Sequence, residues 1–445
     1  MLYPRDRLMT DLPSHCTASL TPGARAPEAP ALRPEKRELT LGIIPLTDCA
    51  PIVVAHEKGF FQRHGLDITI AREGSWASIR DKLVFGLIDA AHMLAPMPLA
   101  ISLGVSSGPE HAVRATLSLD LNGNAITVSN DLYAHMAEAD ADAMTKRPTT
   151  AKALRAVIET RKQRGAPPLT LGVVFPNSTH NYQLRYWLAE AGIDPDHDVE
   201  VVVVPPPRMV DHLREGRLDG FCVGEPWNSV AVRAGVGKSL ITSYELWNNG
   251  PEKVLGVTEQ WAETHPQSHR ALLRAILEAA AWIDEPGNRQ EVTELLARPE
   301  YIGVSLETIG MSMTGTFRYA LDQPTVHMPD FNVFHRYTAN YPWRSHAVWL
   351  LTQMARWGQI GPDTDFQAVA ERVYDPTVCR AAAADLGLIM PVREMKSEGT
   401  HHGRWTSEEG FVMGPDAFFD RKTFDPADPQ GYLDGFAIRR QPVAT

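Results

Sequence analysis

LTLGII, at residues 39–44, and LTLGVV, at residues 169–174, are the two stretches that decide the fold class. Each is a short apolar run bounded by polar residues, which is the pattern of a strand buried in a sheet. The turns GLIDA, at residues 86–90, and GRLDG, at residues 216–220, recur at the same offset of 130 residues. A repeat of this length predicts two duplicated α/β lobes and not a solenoid.

The segments between these motifs have the same order in both halves. In the first half, the sequence predicts a helix over residues 50–58, a strand over 66–70 and a second helix over 77–85. In the second half, a helix over residues 179–191 precedes a strand over 199–204. The predicted class is therefore α/β, with two lobes.

The rest of the chain differs in character from these halves. Helical patterns dominate after residue 244, and one face of a predicted helix over residues 268–283 is apolar. Residues 395–445 are rich in Gly, Pro and Asp and show weak signals of order. The predicted organisation is a mobile N-terminal arm over 1–38, lobe 1 (first part) over 39–125, lobe 2 over 126–244, the helical second part of lobe 1 over 245–395, and a C-terminal tail over 396–445.

Composition and charge exclude several classes of protein. With 44% hydrophobic and 22% charged residues, the chain of 445 residues is globular. Its formal net charge of −11 disfavours direct binding to nucleic acid. No run reaches about 18 apolar residues, so no membrane span is expected. The first residues lack the apolar core of a secretory signal, and the sequence therefore predicts a cytoplasmic protein.

The cysteines and the known catalytic motifs point to neither a metal site nor an enzyme. Cys16, Cys49, Cys222 and Cys379 lie far apart without paired spacing, so we expect reduced thiols and no metal centre. The adjacent pair His401 and His402 is typical of solvated side chains. Nucleophile-elbow, zinc-protease, phosphate-loop and dinucleotide motifs are absent from the sequence. We expect a protein that is not an enzyme and needs no cofactor.

Polar and aromatic residues follow the predicted strands, where open α/β sheets bind small ligands. Ser75, and Asn177 or Ser178, are suitable N-caps, so two helix starts would direct backbone N–H groups toward a cleft and favour an anion. Alone, a cap or a histidine at a helix start is most often structural, and a lone lysine is most often solvated. Trp76 is less ordinary, because a large indole at a turn has no local reason to be there unless it covers something.

Four long segments carry a resemblance to a known family. They are EGSWASIRDKLVFGLIDAAHMLAPMPLA (73–100), FPNSTHNYQLRYWLAEAGIDPDHDV (175–199), DGFCVGEPWNSVAV (219–232) and ELWNNGPEKVLGVTEQW (245–261). Together they resemble the nitrate- and bicarbonate-binding solute receptors of ABC transporters over about residues 39–395. The resemblance implies a type II periplasmic-binding-protein fold, in which two α/β lobes joined by a hinge close on one small anion.

The resemblance also implies which residues bind the anion. Carried over motif by motif, they are Trp76, Asn124, His180, Gly224 and Lys253. Asn124 stands where the family usually has glutamine, which shortens the reach of the amide by one methylene. Bicarbonate receptors carry an acidic residue at the position of Lys253. The implied ligand is therefore nitrate or nitrite.

Within this family, the chain most resembles the cytoplasmic nitrate and nitrite sensors of the NasS type. That resemblance implies a partner, an RNA-binding antiterminator of the NasT type with an ANTAR domain, which the sensor holds inactive until the anion arrives. The alternative is a nitrate-binding solute receptor of an ABC uptake transporter. A free-standing relative of the C-terminal domain of the fused ATPases, acting as an anion-sensing regulatory domain, also stays open.

Overall fold

The structure is a computed structural model, and it describes residues 32–105, 108–361 and 363–440. Of the arm predicted over residues 1–38, residues 1–31 lie outside the described residues. The strands are β1 (Glu38–Ile43), β2 (Asp67–Arg72), β3 (Ala90–Leu94), β4 (Val113–Asn122), β5 (Asn124–Ser129), β6 (Leu169–Val173), β7 (Val199–Val203), β8 (Gly220–Gly224), β9 (Gly237–Thr242), β10 (Pro251–Thr258), β11 (Thr316–Phe317), β12 (Val326–His327), β13 (Asn332–Val333), β14 (Trp405–Thr406) and β15 (Val412–Met413).

The helices surround two sheets. They are α1 (Ala50–Glu57), α2 (Phe60–Arg63), α3 (Trp76–Val84), α4 (Met97–Ser102), α5 (Asn130–Ala139), α6 (Ala141–Thr145), α7 (Lys152–Gln163), α8 (Thr179–Glu190), α9 (Met209–Arg214), α10 (Trp227–Arg233), α11 (Ser243–Leu246), α12 (Glu259–Thr264), α13 (Pro266–Asp284), α14 (Arg289–Leu296), α15 (Leu306–Met313), α16 (Arg344–Arg356), α17 (Phe366–Val373), α18 (Thr377–Asp385) and α19 (Pro429–Asp434). The predicted α/β class is confirmed.

Each lobe is built on one mixed sheet. The sheet of lobe 1 has the strand order β13-β4-β10-β3-β1-β2, and the sheet of lobe 2 has the order β7-β6-β8-β5-β9. In lobe 1, β1 pairs in parallel with β2 and β3, whereas β10 runs antiparallel between β3 and β4. In lobe 2, β6 pairs in parallel with β7 and β8, whereas β5 runs antiparallel between β8 and β9. The two sheets thus repeat one plan.

The repeated Gly-x-x-Asp turns perform the same task in both lobes. The carboxylate of Asp89 accepts a hydrogen bond from the backbone N–H of Thr40 at 2.9 Å. The carboxylate of Asp219 accepts the equivalent bond from the backbone N–H of Thr170 at 2.8 Å. Each aspartate therefore satisfies a donor at the start of the strand that the LTLG motif forms.

The glycine of each LTLG motif allows the Gly-x-x-Asp turn to approach its strand closely. A Cβ on Gly42 would lie 2.7 Å from Cδ1 of Ile88, and a Cβ on Gly172 would lie 2.9 Å from Cδ1 of Leu218. Both distances are too short for any larger residue without movement of the neighbour. The two lobes pack in the same way at equivalent positions.

The chain passes twice between the sheets. The first passage runs from β4 to β5 through Gly123, whose φ of +92° is in the left-handed region that favours glycine. The second passage runs from Thr242, at the end of β9, to Pro251, at the start of β10. Gly123 lies two residues before residue 125, where the sequence predicts the end of the first part of lobe 1. The second passage begins near residue 244, the predicted end of lobe 2.

Helix α13 confirms the apolar face that the sequence predicts. Its residues Leu272, Ala275, Ile276, Ala279 and Ile283 are wholly buried. Burial of each leucine or isoleucine side chain contributes about 1.5–3 kcal/mol. Helix α13 packs against α1 and α18. It therefore attaches the part of the chain that follows the second passage to the first part of lobe 1.

The C-terminal segment is more ordered than its composition indicates. We call residues 396–440 the strap, because they run across both lobes. The ring of Phe418 stacks on Trp247 with a centroid distance of 4.8 Å. The hydroxyl of Tyr432 lies 3.2 Å from the hydroxyl of Tyr186 on α8 and accepts a hydrogen bond of 3.2 Å from Nε1 of Trp349 on α16. Contacts between buried aromatic rings order the strap, although its sequence shows no helical or strand periodicity.

Other expectations concern the strap histidines, the cysteines and the membrane. His401 is not simply solvated, because its ring stacks on Trp405 with centroids 3.8 Å apart. Cys49, Cys222 and Cys379 are free and buried, and Cys16 lies outside the described residues. In the part of the chain that the structure describes, no helix combines the length and apolar character needed to cross a membrane.

Candidate functional site

The five residues predicted to bind an anion lie on both sides of the cleft between the lobes. Lobe 1 provides Trp76, the first residue of α3, and Lys253, on β10. Lobe 2 provides Asn124 at the start of β5, His180 in the first turn of α8 and Gly224 at the end of β8. All five are buried, and the most exposed of the four with functional side chains retains only 1% of its accessible surface.

The structure brings these five residues together. Asn124 and Gly224 are paired across β5 and β8. A Cβ on Gly224 would lie 3.3 Å from Oδ1 of Asn124, so the absence of a side chain at Gly224 leaves space beside Asn124 on this side of the cleft. On the opposite wall, Nζ of Lys253 lies 5.7 Å from the centroid of the Trp76 ring, within the range of a cation–π contact.

Both predicted helix caps are present beside the site. Oγ of Ser75 accepts a hydrogen bond of 3.2 Å from the backbone N–H of Ser78. At the start of α8 the cap is Ser178, which accepts from the backbone N–H of Asn181 at 3.1 Å. Asn177 precedes the cap, and its amide N–H donates to Oε1 of Gln359 at 3.1 Å. The positive ends of α3 and α8 therefore lie beside the residues that face the cleft.

Lys253 is a fully buried cation held by two carboxylates. Its ammonium lies 2.6 Å from Oδ2 of Asp48 and 2.5 Å from Oε1 of Glu252. Burial opposes the charge, but Asp48 and Glu252 outweigh it and hold the pKa of Lys253 above its ordinary value. Lys253 is therefore protonated at every physiological pH, and its position is fixed by its two partners.

Asp48 is in turn held by a histidine. Nδ1 of His92 accepts a hydrogen bond of 3.4 Å from the backbone N–H of Ile44, so the proton of the neutral ring is on Nε2. That nitrogen lies 2.8 Å from Oδ1 of Asp48. Burial raises the pKa of Asp48, but Lys253 and His92 outweigh it and hold the pKa below its ordinary value. Asp48 is therefore ionised.

A third carboxyl group lies on the other side of Lys253. Oδ1 of Asp120 accepts a hydrogen bond of 3.0 Å from the backbone N–H of Lys253. Burial, together with the nearby charge of Asp48, raises the pKa of Asp120 well above its ordinary value. These two causes favour the protonated form of Asp120.

Glu252 connects the two lobes directly. Its Oε2 accepts a hydrogen bond of 2.6 Å from the amide of Asn124, which also donates to Gln183 at 3.1 Å. Its Oε1 lies 3.5 Å from Nε2 of His180. Burial lowers the pKa of His180 to about 4, so this histidine is neutral. One carboxylate of lobe 1 therefore faces the donors that lobe 2 contributes to the cleft.

Several buried polar atoms of the site have no hydrogen-bond partner among the described residues. They include Nε1 of Trp76, both ring nitrogens of His180 and Oδ1 of Asn124. A buried polar group without a partner costs about 1–3 kcal/mol. The N–H of Trp76 and the one N–H of the neutral His180 ring, beside a buried ammonium, are suited to a small ligand with acceptor oxygens, whereas Oδ1 of Asn124 is itself an acceptor. In the described ranges, no group of three or more His, Cys, Asp or Glu side chains is arranged to hold a metal ion.

Sequence reasoning missed the acidic residues of the site. His92 lies in the otherwise apolar strand β3, and that isolated polarity could have indicated it, whereas Asp120 lies in β4, where polar and apolar residues alternate along the whole strand. Glu252 is harder to find, because neighbouring residues of a regular strand point to opposite faces of the sheet. The pairing of β10 with β4 is irregular on both sides of Lys253. This irregularity lets two consecutive side chains, Glu252 and Lys253, face the same site.

The family to which the chain belongs follows from its sequence. A model of the NMT1-like family matches residues 32–297, which is more than half of the chain. The chain therefore belongs to the NMT1-like family, and its similarities to known proteins support the class of ABC solute receptors. The fold agrees with this class, because the chain has the two lobes and the cleft of a periplasmic-binding protein.

Particular relatives are named for nitrate. The nitrate/nitrite binding protein NrtA of Synechococcus elongatus is 36% identical over 414 residues, which cover 91% of this chain and 87% of that protein. The crystal structure of the periplasmic nitrate-binding protein NrtA from Synechocystis PCC 6803 superposes with a TM-score of 0.79 at 32% identity, and the match covers 91% of this chain and 100% of that chain.

A longer relative is similar over only part of its length. The nitrate import ATP-binding protein NrtC of Synechocystis sp. is 40% identical over 407 residues. These residues are 91% of this chain but 56% of NrtC, so the chain spans a little over half of that relative. The similarity therefore extends both to binding proteins of this size and to a part of a transporter ATPase component.

Proposed function

We propose that this protein binds nitrate or nitrite in the cleft between its lobes, as the solute receptor of an ABC uptake transporter. The observation that carries the proposal is the ammonium of Lys253, which is fully buried in the cleft beside N–H groups that have no acceptor. A small anion with several weak acceptor oxygens suits such a site. The names of NrtA and NrtC, and the similarity of this chain to them, support the same ligand.

The choice of nitrate over bicarbonate rests on Lys253. Nitrate has no proton to donate and is compensated only by positive charge and by donors. In this site, Lys253 provides the charge, Trp76 and His180 provide N–H groups, and Gly224 allows the backbone to approach. Asn124 orients its amide toward Glu252 and Gln183, so its oxygen is the atom left without a donor. A binding protein, and not an enzyme, is the function that these groups favour.

The direct test is isothermal titration calorimetry of the purified protein with nitrate, nitrite and bicarbonate. We expect one site per chain for nitrate or nitrite and weaker or no binding of bicarbonate. Chloride at the same ionic strength is the control for nonspecific screening. Binding of bicarbonate alone would contradict the assignment of Lys253, and the absence of any binding by the folded protein would refute the proposed function.

The second candidate is a cytoplasmic sensor that controls an RNA-binding antiterminator of the NasT type. The formal net charge of −11 favours this candidate, because an acidic surface complements the basic face of an RNA-binding protein. In a sensor, the anion acts through its different affinity for the open and closed lobes.

Gel filtration of the protein mixed with such an antiterminator, with and without saturating nitrate, distinguishes the sensor from the transport receptor. A complex whose abundance changes with nitrate supports the sensor. A mixture without any complex leaves the transport receptor as the function.

A further inference from the structure

The two lobes are in direct contact beside the cleft. The backbone N–H of Thr47, in the turn after β1, donates to the carbonyl oxygen of Glu225 at 2.8 Å. Nε1 of Trp227, the first residue of α10, donates to the carbonyl oxygen of Pro45 at 3.2 Å. Pro45 and Thr47 belong to lobe 1, whereas the other two residues belong to lobe 2. The structure therefore describes a closed form, and each contact between the lobes helps to determine how often the protein is closed.

Gln359 makes a further contact between the lobes. It follows α16, which packs on α17, and α17 packs on α4 and β4 of lobe 1. Oε1 of Gln359 accepts hydrogen bonds of 2.6 Å from the hydroxyl of Tyr182 and of 3.1 Å from the amide of Asn177. Its Nε2 donates to the carbonyl oxygen of Pro176 at 3.1 Å. One side chain of lobe 1 thus holds three groups of lobe 2.

These three groups lie on either side of His180, at the start of α8. Pro176 precedes this histidine and Tyr182 follows it within the same short segment. The His180 ring is wholly buried, and its Nε2 lies 3.5 Å from Oε1 of Glu252 in lobe 1. Because a displacement of residues 176–182 displaces the ring with them, the hydrogen bonds of Gln359 fix the position of His180 relative to lobe 1.

Lobe 2 forms this segment with hydrogen bonds of its own. Oγ of Ser178 donates to the carbonyl oxygen of Phe175 at 2.7 Å and accepts from the backbone N–H of Asn181 at 3.1 Å. The amide of Asn181 donates to the carbonyl oxygen of Pro176 at 2.8 Å. These bonds join groups of one lobe and can persist when the lobes separate. Gln359 is therefore not needed to form the segment, and its bonds hold a preformed segment against lobe 1.

The contact of Gln359 is farther from the hinge than other contacts of α8. The rings of Tyr186 and Trp247 both stack on Phe418, with centroid distances of 6.1 and 4.8 Å, and Trp247 lies in the second passage between the lobes. Tyr182 is one helical turn nearer the start of α8 than Tyr186. Rotation about the hinge displaces groups in proportion to their distance from it, so we expect the bonds of Gln359 to break first as the lobes open.

We propose that Gln359 is a positioning residue, which holds the start of α8 in the closed form and increases the affinity for nitrate without contacting it. This inference rests on the proposed function, because it concerns the same ligand and the same site. In an open form, water can replace the bonds of Gln359, so their loss destabilises the closed form alone. The observed dissociation constant then rises as the closed fraction falls.

Substitutions of Gln359 test the proposal through the affinity and the dissociation rate. Gln359→Met removes all three bonds, and calorimetry should find nitrate binding about 10- to 100-fold weaker. Stopped-flow measurements should find nitrate released faster by a similar factor, because release requires the lobes to open. Gln359→Glu keeps the oxygens that accept from Tyr182 and Asn177, so its affinity should be intermediate. Gln290→Met, which removes an exposed amide on α14, is the control and should bind as the wild type does.

The variant Tyr182→Phe tests whether the effect passes through the contact described. It removes one of the three bonds and should weaken nitrate binding in the wild type. In the Gln359→Met background the hydroxyl has lost its acceptor, so the same substitution should have little further effect. An equal cost in both backgrounds would overturn the assignment. If Gln359→Met does not fold, Gln359→Glu and Tyr182→Phe, alone and combined, decide the question.

Small-angle X-ray scattering separates this inference from the proposed function, because it needs no ligand. Without nitrate, Gln359→Met should have a larger radius of gyration than the wild type. If the wild type binds neither nitrate nor nitrite, the proposed function is refuted, and an unchanged radius would then overturn this inference as well. If nitrate binds, an unchanged affinity in Gln359→Met overturns it, even where the free energy of unfolding falls. A weaker affinity with an unchanged dissociation rate also overturns it.

Discussion

Substitution of Lys253 by methionine is the most informative change to the site. Methionine keeps most of the length of the lysine side chain and removes only the ammonium. Asp48 and Glu252 then lose the cation that lies 2.6 and 2.5 Å from them. Both carboxylates stay buried, so the variant contains two like charges without compensation.

The magnitude follows from the burial of the pair. Removal of one partner of a buried ion pair costs about 3–5 kcal/mol, a large part of the 5–15 kcal/mol by which a domain is stable. The loss of a buried charged donor to the ligand costs about 2–5 kcal/mol of binding, which is at least about a 30-fold weaker affinity. Lys253→Met should therefore be both less stable and nearly unable to bind nitrate.

The loss of stability in Lys253→Met should decrease as the pH falls, whereas the contribution of Asp48 to the stability of the wild type is lost as the pH falls. In the wild type, Lys253 and His92 outweigh burial and hold the pKa of Asp48 below its ordinary value. That contribution to stability is present above the ordinary pKa of about 3.9 and is lost as the pH falls through the folded pKa. Without Lys253, only His92 opposes the effect of burial, so the pKa of Asp48 should be higher in the variant than in the wild type, and acid should relieve the variant.

Urea unfolding and nitrate titration of both proteins test this reasoning. The difference in the free energy of unfolding should be larger at about pH 8 than at about pH 5. Lys146→Met, which breaks an exposed ion pair with Asp142, is the matched control and should leave stability and binding unchanged. A Lys253→Met variant with wild-type nitrate affinity, or with the same destabilisation at both pH values, would refute the argument.

Three further substitutions test other parts of the structure. Gly224→Ala places a Cβ 3.3 Å from Oδ1 of Asn124, so calorimetry should find nitrate binding weakened about tenfold with little change in melting temperature. Gly172→Ala forces a Cβ to within 2.9 Å of a buried leucine carbon and should destabilise the protein to urea by about 1–3 kcal/mol, whereas Gly287→Ala, with open space around it, should not. Tyr432→Phe removes a hydroxyl that contacts both lobes, and chemical unfolding should show a loss of about 0.5–1.5 kcal/mol. Equal stability of the two glycine variants, or an unchanged Tyr432→Phe protein, would contradict the packing described.

The fold could be predicted from sequence where one local rule decides it. The LTLG strands and the Gly-x-x-Asp turns are short, and each repeats with the same contact, such as that between Asp89 and Thr40. The strap could not be predicted in this way, because Phe418 and Tyr432 are ordered by rings from distant elements. Their spacing along the chain contains no information about those contacts.

The candidate site was predictable only in part for a related reason. Trp76, Asn124, His180, Gly224 and Lys253 lie at the ends of elements or in motifs that a family resemblance can transfer, and the structure gathers them in one cleft. The carboxylates that surround the cation depend on tertiary contacts. A short turn after β1 and an irregular strand pairing at β10 determine which side chains face inward, and neither is visible in hydrophobic periodicity.

The position of β10 also determines when each lobe can be completed during synthesis. The five strands of the second sheet lie in one continuous stretch, residues 124–242, and all of them leave the ribosome before β10 does. The first sheet must wait, because β10 fills the gap between β3 and β4, whose facing edges stay unpaired until then. The nascent chain therefore finishes the sheet of its second lobe first, and the strand that fills the gap between β3 and β4 brings Lys253 to the cleft in the same step.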